Sequence, residues 1–178
     1  MMKFNLILSS SRNREGDAVD EFIKLIEENL EESPIVEISD IQGIILAFTE
    51  TDPFEVIDLF NKMVTEEPWQ FRYILRVIPI QIVCSTNLTE IIDGSCKLFK
   101  KVSGVSSFKI VVEKRYCSIR SREIVLAIAS RITNKVDLYY PDWIILVEIL
   151  GKRTGISVLR SEHLLSIVKQ KIGGHRSK

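Results

Sequence analysis

Short apolar runs alternate with longer amphipathic stretches along the first 85 residues. "FNLILS" at 4–9 reads as a strand. "DAVDEFIKLIEENLEE" sets Val19, Phe22, Ile23, Ile26 and Leu30 at helical spacing, and its opposite face is almost all acid. "IVEIS" and "GIILAF" flank "DIQ" and Gly43, the pattern of a hairpin. In "TDPFEVIDLFNKMV", Asp52 suits the cap and Pro53 the first helical position, while Phe54, Ile57, Phe60 and Val64 form a stripe. "RYILRVIPIQIVCS" at 72–85 is β-branched and partly alternating; Pro79, lacking an N–H, puts an edge or a bend there.

The order βαββαβ is the ferredoxin-like arrangement. The second half follows another order. Asn87, with Glu90 three residues on, opens the helix "LTEIIDGSCKLFKKV", whose last turns carry Lys97, Lys100 and Lys101. "FKIVVEKRY" alternates as a strand and leaves through Lys114 and Arg115. Ser121 is placed to cap a helix over 122–132, and "VDLYYPD" reads as a loop. "WIILVEIL" and "GISVLR" are two strands joined through "GKRTG", whose glycines bracket Lys152 and Arg153. "SEHLLSIVKQKI", capped by Ser161, predicts a closing helix, and "GGHRSK" a frayed tail. The fold class is therefore α+β.

Composition narrows the class. At 178 residues and 46% apolar the chain can bury one or two modest cores. Its longest nearly uninterrupted apolar run, "WIILVEIL", contains Glu148 and falls far short of the roughly 18 residues of a membrane span. No secretory signal is evident after Lys3, so the expected location is cytoplasmic, with no membrane partner. Cys84, Cys96 and Cys117 show neither CxxC nor zinc-knuckle spacing and are read as small, partly buried thiols; no metal or other cofactor is implied.

Charge changes the picture more. The net charge is zero, yet residues 1–75 hold 6 Lys and Arg against 16 Asp and Glu, and residues 76–178 hold 18 against 8. A basic half suggests a polyanion partner such as nucleic acid, set against the plain alternative of solvated surface charge. Lys114, Arg115, Arg120 and Arg122 fall within nine residues at a strand-to-helix seam, where the helix N-terminus also favours phosphate. Lys152 and Arg153 on the hairpin reach either this end of the sheet or the other. Tyr116, Tyr139 and Tyr140 offer rings for stacking on bases, although a partly buried ring with its hydroxyl at the surface is the commoner arrangement. Enzyme signatures are lacking: neither His163 nor His175 has a plausible nucleophile near it in sequence, and there is no glycine-rich phosphate loop.

From about Arg72 to Leu159 the chain resembles a THUMP domain. The likeness is carried by "RYILRVIPIQIVCS", by "FKIVVEKRYCSIRSREIVLAIASRI" and by "KVDLYYPDWIILVEILGKRTGISVL". The first of these is similar to the adaptors of tRNA acetyltransferases, noncatalytic proteins needed to make N4-acetylcytidine in tRNA. The resemblance implies a ferredoxin-like N-terminal domain over residues 1–75 and a THUMP domain over 76–178. It implies that the acceptor stem and 3′ end of tRNA are held for a tRNA cytidine acetyltransferase or another tRNA-modifying enzyme, and that the chain is not itself an enzyme. The alternatives are a THUMP module or fragment serving a tRNA thiolation or methylation enzyme, and a protein interaction module whose basic patch meets an acidic partner. Arg76 matches the junction motif, Lys114 and Arg115 the strand exit, and Arg122 with Glu123 the helix start; Lys109, Arg120, Lys152 and Arg153 join the RNA-binding set by charge and position alone. Asp20, Glu27, Glu28 and Glu31 on the first helix are expected to face solvent or a basic protein partner.

Overall fold

The computed structural model describes residues 3–102 and 104–174. The chain divides into two units, one made of 1–79 with 162–178 and the other of 80–161.

In the first unit, strands β1 (Leu6–Ser10), β2 (Ile35–Ile38), β3 (Ile44–Phe48) and β4 (Ile74–Pro79) and helices α1 (Glu15–Leu30) and α2 (Pro53–Glu66) follow the anticipated βαββαβ order. The sheet runs β2-β3-β1-β4 with every pairing antiparallel, the ferredoxin-like topology. The alternation of β1 and β3 turns Leu6 and Leu8, and Ile45 and Ala47, into one core with the apolar stripes of the two helices, and the register shift of β4 opposite Ser9 and Ser10 lets Ile74 and Val77, three residues apart, both join it. Phe60 joins the layers, packing edge-on against Phe22 at 6.0 Å and Phe71 at 5.4 Å. Asp52 caps α2 as its sequence suggests, accepting the Phe54 N–H at 2.8 Å, with Pro53 at the first position.

Three expectations differ from the structure. The stretch 72–85 is not one strand: β4 ends at Pro79, and β5 (Ile82–Ser85) belongs to the other sheet. Gln81 sets the change of sheet. Its N–H reaches the Ile156 carbonyl at 3.0 Å, and its side-chain oxygen accepts the Val158 N–H at 2.7 Å. The boundary thus lies at 79/80 rather than 75/76. The closing helix predicted from Ser161 is instead a 3-10 turn (Ser161–His163), a short strand β9 (Leu165–Ser166) and α5 (Ile167–Gly174). Leu165 in β9 and Ile167 at the start of α5 are both buried in the first core. β9 covers the outer edge of β4, pairing Ser166 with Arg76 and Leu165 with Val77, so the residues expected to end the second domain complete the first. His175 and the rest of 175–178 lie outside the described residues.

The second unit is a four-stranded sheet of order β5-β8-β7-β6, with β6 (Phe108–Arg115), β7 (Trp143–Leu150) and β8 (Arg153–Leu159). β6 and β7 are parallel and joined through α4 (Ser121–Ala129); the pairs β7–β8 and β8–β5 are antiparallel. Helix α3 (Leu88–Phe99) links β5 to β6. Both helices pack on one face over Ile145, Val147, Ile149, Ile156 and Val158. Gly94 permits this approach: a Cβ there would lie 2.8 Å from Cδ1 of Ile156. No described helix is long and apolar enough to cross a membrane.

Candidate nucleic-acid interface

Strand direction assembles the basic residues. Because β5, β6 and β7 point the same way and β8 runs against them, one edge of the sheet collects the ends of β5, β6 and β7 and the start of β8. Arg115 is in register with Leu150, Leu150 with Arg153, and Arg153 with Ser85. The hairpin turn at Gly151 (φ 61°) and Lys152 therefore lies at the same edge as Lys114, Arg115, Arg120 and Arg122. Both α3 and α4 begin there.

The two helix starts differ in chemistry. At α3, Asn87 accepts the Glu90 N–H at 2.9 Å, while the Glu90 carboxylate takes the Ser85 N–H at 2.9 Å and the Asn87 amide at 2.7 Å. The chain's own carboxylate thus closes this terminus, and the Ser85 N–H bond, followed by the Asn87 amide, holds the Glu90 pKa below its ordinary value. Helix α4 has Arg120 at its cap position and no side-chain cap; Ser121, expected as the cap, is its first helical residue. Arg120 and Arg122 flank this start and are exposed. An uncapped helix start ringed by guanidinium groups is suited to phosphate.

The anticipated residues take unequal roles. Lys114 Nζ donates to the Ile119 carbonyl at 2.8 Å, so it ties down the connection leading into α4 while staying exposed. Arg115 turns to the opposite face of the sheet, where Nη1 meets Glu148 Oε2 at 3.2 Å; Glu148 is 1% exposed. Its guanidinium is thereby committed to a buried carboxylate. Lys152 is exposed and Arg153 half-buried. Lys109 sits at the opposite end of β6, about 17 Å along the strand from Lys114. Arg76 lies in the first unit, on β4 between Ser9 and Ser166.

The tyrosines are more exposed than the usual half-buried arrangement. Tyr116, 80% exposed, follows β6 at the basic edge and has φ 54°, a left-handed backbone unusual for an aromatic residue. Tyr139 and Tyr140 belong to the loop at the other end of the sheet, where Asp137 accepts both their N–H groups at 3.0 and 2.9 Å. These bonds, the Tyr140 one first, lower the Asp137 pKa. The three cysteines are free and half-buried, and burial, then Glu90, pushes the Cys84 thiol up to about 11. His163 packs edge-on against Phe54 at 4.9 Å.

Two residues outside the anticipated set prove decisive, Glu148 and Glu90. A single acid inside "WIILVEIL" is itself a signal that a buried partner is needed, but its identity depends on strand register.

Residues 85–159 match the family model of the THUMP domain. The THUMP domain-containing protein 1 homolog of Drosophila melanogaster is 31% identical over 109 residues, 57% of this chain and 34% of its own. The crystal structure of PH1313 from Pyrococcus horikoshii is similar with a TM-score of 0.65 at 18% identity, over 88% of this chain and 54% of that one. A 4-thiouridine synthetase, solved in complex with RNA and ATP, gives 0.57 at 16% identity, over 89% and 42%. The chain spans about a third of the curated relative and about half of these solved chains. The family match places a THUMP domain at residues 85–159 of this chain, within an α+β protein.

Proposed function

We propose that this chain is a noncatalytic tRNA-binding protein that presents tRNA to a modification enzyme for N4-acetylation of a cytidine. The observation that carries the reading is the uncapped start of α4 within the THUMP domain, ringed by Arg120 and Arg122, with Lys114 and Lys152 at the same sheet edge. Guanidinium and ammonium groups neutralise phosphates, the helix start supplies backbone donors, and exposed Tyr116 supplies a ring for a single-stranded base. The Drosophila relative and the RNA-bound 4-thiouridine synthetase support an RNA role without choosing the modification.

The test is tRNA binding across a salt series, with intact tRNA and with tRNA trimmed of its single-stranded 3′ end. Each lost contact to single-stranded phosphate should reduce the log–log slope by about 0.7, so Arg120→Ala/Arg122→Ala/Lys152→Ala should flatten it by about 2. An unchanged slope removes the proposed edge. In a reconstituted reaction with a tRNA cytidine acetyltransferase, omitting the chain should abolish acetylation, and the chain alone should modify nothing. Stimulation of a thiolation or methylation enzyme instead would transfer the presenting role to that reaction.

A further inference from the structure

The acidic first unit carries a feature the RNA reading does not use. Trp69, on the 3-10 turn Pro68–Gln70, is 65% exposed at the side of a cleft of about 500 Å³ between α1 and the start of β4. The cleft is preformed, because the Glu21 carboxylate staples α1 to the backbone by accepting the N–H groups of Arg72 at 2.7 Å, Tyr73 at 3.1 Å and Ile74 at 3.0 Å. Asp17 and Asp20 line it on the helix side; Lys24 also lines it, 3.9 Å from Glu28, and Arg72 stands on the opposite wall.

Beside the cleft the chain shows what this surface does with a guanidinium. Arg14 lies over the Tyr73 ring, 4.8 Å from its centroid, with Nη1 3.2 Å from Asp17 Oδ2. Aromatic face and carboxylate together hold the cation. Trp69, the better π-donor, stacks on no described cation, and Asp20 makes no ion pair or hydrogen bond with a described residue. The polar face of α1 continues with exposed Glu27, Glu28 and Glu31, so the surroundings oppose a phosphate backbone and favour a cationic chain.

We propose that this cleft docks an arginine-bearing segment of a basic protein partner, with a guanidinium stacked on Trp69 and counter-charged by Asp20, since Asp17 is already paired with Arg14. The stacked ring gives the contact its specificity, and the acids of α1 steer the approach. Arg72 opposes the incoming charge.

The test uses the full 15N-labelled chain, without tRNA, titrated with a Gly-Ser peptide carrying three arginines and with its counterpart carrying citrulline, which keeps the shape and removes the charge. The arginine peptide should shift the Trp69 indole N–H resonance, identified by its loss in Trp69→Phe, and the citrulline peptide should not. Trp69→Ala should weaken binding about two- to fivefold, the range of an exposed cation–π contact. Asp20→Asn should weaken it and Arg72→Ala strengthen it, with the amide spectra reporting that each variant is folded. Equal binding of the citrulline peptide would mean apolar docking and overturn the proposal. An unmoved Trp69 resonance, with shifts confined to Glu27, Glu28 and Glu31, would mean diffuse attraction and overturn it as well.

Discussion

Removing the guanidinium of Arg115 would leave the Glu148 carboxylate, 1% exposed, without its 3.2 Å partner. Arg115→Ala should therefore lower the free energy of unfolding by about 1–3 kcal/mol, read by denaturant titration, whereas exposed Arg122→Ala should change it by less than about 0.5. The two arginines are seven residues apart and nearly identical by composition; only one is available to an anion. Tyr116 makes the opposite trade. Its φ of 54° is a conformation glycine adopts without penalty, so Tyr116→Gly should leave the fold as stable or up to about 1 kcal/mol more so, while weakening single-stranded RNA binding. A loss of stability with RNA binding unchanged would refute the assignment of Tyr116 to the interface.

At the scale of the element, the start of α3 responds to pH. The Glu90 pKa is lowered in the folded chain by the Ser85 N–H and the Asn87 amide. A depressed folded value contributes stability that is fully present above the ordinary value of 4.5 and is lost as pH falls through the folded one. Exchange protection of the Ser85 amide should decline in that acid window, and Glu90→Gln should remove this pH dependence. Strand β9 makes a different kind of contribution. Leu165 lies beyond the THUMP segment yet is fully buried in the first core, so Leu165→Ala should cost about 2–5 kcal/mol in denaturant unfolding of the first unit.

Over the whole molecule, the charge division follows the units less sharply than it follows the chain. Residues 80–161 contain 13 Lys and Arg against 7 Asp and Glu, and the remainder 11 against 17, so each unit carries a net charge of six, positive and negative respectively. The halves at 75/76 differ by more because the basic residues after 162 are assigned to the acidic unit. Reversing Asp20, Glu27, Glu28 and Glu31 to lysine should raise tRNA affinity at low salt. The gain should vanish as salt increases, since the screening length falls from about 10 Å at 0.1 M to about 3 Å at 1 M. If a basic partner docks on this face, the same variant should lose that partner.

The sequence by itself determined most of the elements. Period-two and period-3.6 patterns depend only on neighbouring residues, and the signals in "TDPFEV" and "NLTE" name their own cap atoms. It also determined that a cluster of cations surrounds the exit of β6, since those residues are close in the chain. It did not determine which cations are available, nor that Leu165 and Ser166 would join the first sheet, nor which end of the second sheet holds Lys152. Those were decided by strand direction and register. A buried acid at 148 claims an arginine 33 positions earlier, Arg76 pairs with Ser166, and the antiparallel return of β8 sets Lys152 at the edge where α4 begins. Such pairings depend on which edges remain open after the local elements have formed, and only the assembled sheets contain that information.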